Sequence, residues 1–255
     1  MVNNDLPEIH VRMASWQPRN IGMIKRVQDI LPQLRKKDSL GLWLNNYATH
    51  LVQRIPNDPR IVIYRAGDGQ PYPDLKSHGK FKNIQDHKGY YLTIDDDILF
   101  PSNYIEQMIK GIEAYHRRAY CSFHGGLFPI LDGKVNHVYP RRVCQRKTFE
   151  DYCQKDERVH IGGNGISGCF PSILGITDAI IPNDLIGGDD EQIALFCQRN
   201  EIPIIRLAHN AKWLKNDGTL SCIGALCHME EHIQEVNKQI LSWKNWHLPY
   251  IQEEG

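Results

Sequence analysis

The sequence has no excess of either charge. Lys and Arg total 30 and Asp and Glu total 30 in 255 residues, so no global field recruits nucleic acid or an anionic membrane. No apolar run reaches the roughly 20 residues that a bilayer-spanning helix needs. The opening MVNNDLPEIH lacks the charged and apolar regions of a signal peptide. The seven cysteines are odd in number and form no framework, which fits reduced thiols and a cytoplasmic setting. The tightest group, Cys222-x4-Cys227-His228, is half of a zinc site with no second pair to complete it, so zinc is not expected. There is also no internal repeat, low-complexity tract or linker, and 255 residues suffice for one well-buried domain.

What the sequence does hold is an alternation of strand-like and helix-like segments. EIHVRMAS (8–15), SLGLWLNN (39–46), RIVIYRA (60–66) and KGYYLTI (88–94) read as strands. IGMIKRVQDIL (21–31) reads as a helix with Ile21, Ile24, Val27 and Ile30 on its buried face, and YATHLVQRI as a shorter one. The pattern predicts an α/β fold with a mostly parallel sheet flanked by helices, the architecture that binds ligands beyond the carboxyl ends of its strands. Pro101-Ser102-Asn103 is expected to start a helix with Ile105, Met108, Ile109, Ile112 and Tyr115 inward. A hairpin is expected at Asp132-Gly133, then a glycine-rich turn at 160–168 and helices over 186–200 and 228–243. We expect one domain with two functional halves, at about 8–101 and about 102–255.

Asp95-Asp96-Asp97 ends the fourth strand. Three adjacent carboxylates repel one another unless a cation sits among them, either Lys or Arg or a divalent metal. Later, Gly187-Gly188-Asp189-Asp190-Glu191 opens a helix. Its bland reading is a capping box, Asp189-x-x-Gln192, with acids favoured by the helix dipole. The turn HIGGNGISG lacks the Lys-Ser/Thr of a P-loop and is not one.

A strand, an acidic triplet and a helix, followed in order by Gly-Gly-Asp-Asp, resemble the signature of inverting, family-2-like glycosyltransferases of the GT-A fold. The resemblance covers most of residues 8–207 in element order. It implies a nucleotide-diphosphate sugar donor, a UDP-sugar foremost, and Mn²⁺ or Mg²⁺ held by Asp95 and Asp97; hard cations suit such oxygen ligands. The extra Asp96, also expected beside the nucleotide, leaves the register open by one residue. By the same resemblance Asp190 is the general base, while Gly188 and Asp189 meet the acceptor. Ser15 and Arg19 after the first strand, Asn45 after the second, Asp68 and Lys80 are implied at the nucleotide. Asn45 stands where relatives often carry an Asp, and its amide can still bond a uracil edge. A late histidine that completes the metal site in many relatives would be His209 or His228, neither in a convincing context; His160 reads as a pocket-wall residue. The acceptor is implied to be a hydroxyl of a saccharide or lipid-linked glycan, or of a modified DNA base. Basic clusters at Arg117-Arg118 and Arg141-Arg142 read as solvated faces or as sites for a phosphorylated acceptor. Trp213, Trp243 and Trp246 read as packing residues. Two other classes stay open: a carbohydrate- or nucleic-acid-binding domain without catalysis, and a haloacid-dehalogenase-type phosphatase with Asp95 as nucleophile.

Overall fold

In the computed structural model, residues 5–135, 145–181, 188–219 and 230–250 are described. Four strands come first: β1 (Ile9–Trp16), β2 (Ser39–Asn45), β3 (Ile61–Ala66) and β4 (Tyr90–Ile94). All pair in parallel, with β1 between β2 and β4 and with β3 at the edge. The second half adds β5 (Tyr120–Ser122), β6 (Glu157–Val159), β7 (Ile166–Cys169) and β8 (Ile204–Arg206). The eight make one mixed sheet in the order β6-β8-β5-β7-β4-β1-β2-β3. Strand β7 runs antiparallel to both β4 and β5, so it brings the glycine-rich turn before it to the carboxyl end of β4.

Both faces of the sheet are covered, which is why its strands read as nearly continuous apolar runs. On one face Val11, Leu42 and Leu92 pack against helix α1 (Asn20–Ile30) and helix α2 (Tyr104–Ala114). On the other, Tyr91 and Ile204 meet Phe81 and helix α3 (Asp189–Arg199). A last helix, α4 (Glu230–Ser242), lies against α3. This is the mostly parallel, helix-flanked α/β architecture that the sequence pattern predicts.

Local expectations fare unevenly. Of the expected α2 stripe, Ile105, Met108, Ile109 and Ile112 are buried, while Tyr115 lies just past the helix, half-buried, and donates its Oη to Asp156 (2.8 Å). The hairpin forms between Ile130–Leu131 and Lys134–Val135, and Asp132 and Gly133 both take left-handed backbone conformations, φ 49° and 72°. Ile21, however, is exposed, because the inward face of α1 is carried by Met23, Val27 and Ile30. A residue two positions before Met23 lies about 200° around the helix. Pro101 falls outside α2. Asn103 takes the cap position, yet its Oδ1 accepts from Trp213 Nε1 (3.2 Å) rather than from the helix.

Candidate active site

The parallel register sets the ends of β1, β2 and β4 side by side, with Trp16 opposite Asn45 and Met13 opposite Ile94. The chain leaves β4 at Asp95, whose backbone N–H donates to Gly165 O (3.0 Å). The triplet then divides. Asp96 turns inward and is 3% exposed; Ser15 Oγ donates to its Oδ2 (2.6 Å) and Arg19 Nη1 to its Oδ1 (3.0 Å). The same Nη1 reaches Asp97 Oδ2 at 3.0 Å. Asp95 points the other way, to Lys80 Nζ at 2.7 Å. Thus Asp96 is an internal strut, and the outer pair, Asp95 and Asp97, keep side chains 41% and 29% exposed.

Burial raises Asp96 to about 6, against the pull of Ser15 and Arg19. Burial and the charge of Asp95 raise Asp97, again opposed by Arg19. For Lys80, burial favours the neutral amine, but Asp95 and Asp189 outweigh it and hold the ammonium charged beyond its ordinary range.

Lys80 lies in a 3₁₀ segment, Lys76–Phe81, that crosses β1 and β2. Gly79 fits there because a Cβ would lie 2.2 Å from the Trp43 ring. Lys80 is the join between the two acidic motifs: besides Asp95, its Nζ is 3.9 Å from Asp189 Oδ2 at the start of α3.

The start of α3 is not a capping box. The cap position belongs to Gly188, whose φ of 71° suits glycine, and no side chain caps it. Asp189 is the first helical residue; its carboxylate takes hydrogen bonds from Ser77 Oγ (3.3 Å) and Asn164 Nδ2 (3.4 Å). Burial would raise Asp189, but Lys80, His78 and the hydrogen bonds to the carboxylate together outweigh it and hold the group below the usual range. Asp190 is its opposite: burial, then Asp189 and Glu191, push its proton affinity well up, while the N–H of Asn164, 2.7 Å from Oδ1, opposes them. Two neighbouring acids with proton affinities driven apart are the pattern of an acid–base site.

Of the other expected residues, Asn45 is buried at the end of β2 and donates Nδ2 to Ser15 O (3.1 Å) and Lys76 O (3.2 Å). Its Oδ1 is buried with no hydrogen-bond partner among the described residues. Asp68 is exposed in the loop after β3, and no hydrogen bond or ion pair among the described residues ties it to the acidic cluster. His209 stays apart: its Nδ1 donates to Leu207 O (2.7 Å) and its ring meets Phe123 edge-on. His160 accepts from Phe128 N and stacks on that ring, a packing role. Trp246 is likewise buried, donating to Ile240 O, and Arg117 pairs with Glu113. His228, Gly187, Arg141-Arg142 and the Cys222–Cys227 pair lie outside the described residues. The described cysteines 121, 153, 169 and 197 are buried and free.

The sequence reading missed Asn164. The resemblance implies that the glycine-rich turn lines the donor or acceptor pocket, but it singles out His160 there and not Asn164. The available signal was a single polar residue between Gly163 and Gly165, in a turn too constricted for side chains. A Cβ on Gly165 would fall 2.1 Å from Asp95 Oδ2, and one on Gly163 2.9 Å from His124.

A hard divalent cation fits this donor set. Asp95 and Asp97 offer half-exposed carboxylate oxygens, and among the described residues Asp95, Asp96, Asp97 and Asp189 share two paired cations, Arg19 and Lys80, so negative charge is in excess. No group of three His, Cys, Asp or Glu able to hold a metal occurs among the described residues. Two carboxylates with the remaining positions left to substrate phosphate and water is the usual arrangement for Mg²⁺.

No protein-family profile and no curated protein sequence matches the chain. Among solved structures it is similar to a mannosyltransferase, PcManGT, from Pyrobaculum calidifontis in complex with GDP-Man and Mn²⁺. The identity is 12%, the TM-score 0.48, and the match covers 79% of this chain and 57% of that one. It is also similar to S. aureus TarS 1-349 in complex with UDP-GlcNAc, at 10% identity and a TM-score of 0.44, covering 80% of this chain and 57% of that one. The chain thus spans little more than half the length of either. No helix among the described residues is long and apolar enough to cross a membrane.

Proposed function

We propose that the chain is an inverting glycosyltransferase that moves a sugar from a nucleotide-diphosphate donor, a UDP-sugar foremost, to an acceptor hydroxyl. One observation carries the reading: Lys80 and Asn164 draw the Asp triplet at the end of β4 and the Asp189-Asp190 pair at the start of α3 into one cluster, although they lie far apart in sequence. A donor site and an acceptor-side base must meet in this way for a single displacement.

In this reading Asp95 and Asp97 would hold Mn²⁺ or Mg²⁺. When bound, the ion supplies Lewis-acid neutralisation of the departing diphosphate. Arg19 and Lys80 place positive charge beside that region, and Ser15 fixes the inner carboxylate from which Arg19 is aimed. Asn45 at the end of β2 has a buried Oδ1 with no partner among the described residues, an acceptor that a small shift would offer to a donor N–H. The uracil imide offers one; cytosine presents an acceptor at that position. Asp190 takes the proton of the acceptor hydroxyl as its oxygen bonds to the anomeric carbon. The bond from that carbon to the diphosphate breaks at the same time, the electron pair leaves on the diphosphate oxygen, and the anomeric configuration inverts. Asp189, kept ionised by Lys80, orients acceptor hydroxyls. A saccharide or lipid-linked glycan is the favoured acceptor.

The test is a screen of nucleotide sugars for hydrolysis and transfer with Mn²⁺ or Mg²⁺, followed by NMR of the fresh product. We expect a product anomer opposite to that of the donor. Asp97→Asn should weaken nucleotide binding and turnover together. Asp190→Asn should lower turnover by on the order of 10²–10⁴-fold while leaving nucleotide affinity intact. Binding of a nucleotide sugar without turnover would make the chain a binding domain. A retained configuration would remove Asp190 from the role of base.

A further inference from the structure

Asn164 is 1% exposed, and each of its four polar groups has a partner. Its N–H donates to Asp190 Oδ1 (2.7 Å) and its Nδ2 lies 3.4 Å from Asp189 Oδ2. Its carbonyl lies 3.4 Å from Lys80 Nζ, and its Oδ1 accepts from Tyr120 Oη at 2.6 Å. The two short bonds define its job. The Tyr120 hydroxyl grips the side chain from inside the sheet, and the backbone N–H of the gripped residue points at Asp190.

The anchor is built to be rigid. Tyr120 is buried on β5, and burial keeps its phenol protonated, hence a donor. That oxygen also meets Ser167 Oγ (2.7 Å), which in turn meets Thr93 Oγ1 (2.7 Å), so β5, β7 and β4 are tied in one polar row beneath the turn. On the far side of the turn, Gly165 O receives the N–H of Asp95. Consecutive residues of the turn therefore hold one residue from each acidic motif, Asn164 the carboxylate of Asp190 and Gly165 the backbone of Asp95.

We propose, on the basis of the glycosyl-transfer reading above, that Asn164 is a positioning residue for that reaction: anchored by Tyr120, it fixes the carboxylate of Asp190 relative to the donor site at Asp95. Asparagine is the residue the site requires. Alanine loses the grip of Tyr120, and aspartate keeps it but adds a charge beside Asp189. Glutamine is one methylene too long for a side chain already clasped at both ends.

The experiment compares Asn164→Ala and Tyr120→Phe with the wild type in acceptor-dependent turnover, donor-nucleotide affinity by calorimetry, and Tm. Misplacing a reacting group by about 1 Å costs up to about 10²-fold, so kcat should fall by up to that factor in Asn164→Ala and by less, in the same direction, in Tyr120→Phe. Donor affinity should be unchanged, since the Lys80–Asp95 pair does not depend on the Asn164 side chain. In an Asp190→Asn background, Asn164→Ala should cost nothing further, because the group it positions is already gone. A purely structural role predicts instead that Tm, donor affinity and kcat fall together and that the loss repeats in the Asp190→Asn background; that result overturns the inference. So does an unchanged kcat in Asn164→Ala, or in Tyr120→Phe where the alanine variant does not fold. A wild type that transfers sugar while these variants do so equally well defeats only this inference. A wild type that turns over no donor defeats the glycosyl-transfer reading itself.

Discussion

Lys80→Met removes the cation that joins the two acidic motifs while keeping a side chain of similar length. Lys80 is 3% exposed and its Nζ sits 2.7 Å from Asp95 and 3.9 Å from Asp189, so the variant leaves three acids, Asp95, Asp189 and Asp190, without it. Removing one partner of a buried ion pair costs about 3–5 kcal/mol. The lower end applies here, because the Asp95 side chain is 41% exposed and water can take over part of the lysine's work. Taken at about 2–4 °C per kcal/mol for a domain of this size, a loss of about 3 kcal/mol lowers Tm by about 6–12 °C. Calorimetry on the purified variant measures it. The same scan on Lys80→Met/Asp95→Asn should recover part of the loss, since one unpaired charge has been removed. A Lys80→Met variant that melts with the wild type, or a double variant that melts lower still, would refute the view that Lys80 holds the cluster together.

Gly165→Ala should weaken Mn²⁺-dependent nucleotide binding with little change in fold, because the new Cβ would sit 2.1 Å from Asp95 Oδ2 and must push that carboxylate aside; unchanged calorimetric affinity would contradict this. The raised proton affinity of Asp190 gives activity and stability opposite pH dependences. Transfer should increase as pH rises through the folded-state pKa, since only the carboxylate accepts a proton. The group's contribution to stability is fully present below its unfolded pKa and is lost as pH rises through the folded one. Asp190→Asn should flatten both the pH–rate profile and the corresponding part of the pH–Tm curve, and a variant with the wild-type profiles would show that another group titrates.

The frame of the molecule was legible because its central parallel strands, β1, β2 and β4, are buried on both faces and announce themselves as apolar runs, each closed by a loop. Residues at strand ends inherit their place from that frame, which is why Ser15, Arg19, Asn45 and Asp95–Asp97 fall on one edge. What periodicity could not supply was phase and partner. Ile21 has the spacing of a buried residue, but α1 begins at Asn20 and turns its inward face to Met23. Asp189 has the spacing of a helix cap, yet the left-handed Gly188 takes that place and Lys80 claims the carboxylate. Asn164 was invisible for a related reason: its four bonds go to residues between 25 and 84 positions away, and no local pattern encodes a contact of that range.

The triplet shows how distant partners decide the meaning of identical neighbours. Successive side chains leaving a strand diverge, so three aspartates in a row meet three surroundings. Asp96 enters the sheet edge, where Ser15 and Arg19 satisfy it, and its affinity for a proton rises to about 6. That residue is spent on holding Arg19. The flanking pair each meet one cation and stay open to solvent. An acidic run that a reader of the sequence sees as three equal charges is, in the fold, one strut between two partly exposed carboxylates. On the proposed reading, this division favours Asp95 and Asp97 over Asp96 as the groups that would meet a cation. It also explains why two basic residues do not quench the site: Arg19 is shared between two carboxylates and Lys80 between two others, so neither cancels the excess of negative charge. On the proposed reading, that excess is what a divalent ion would neutralise.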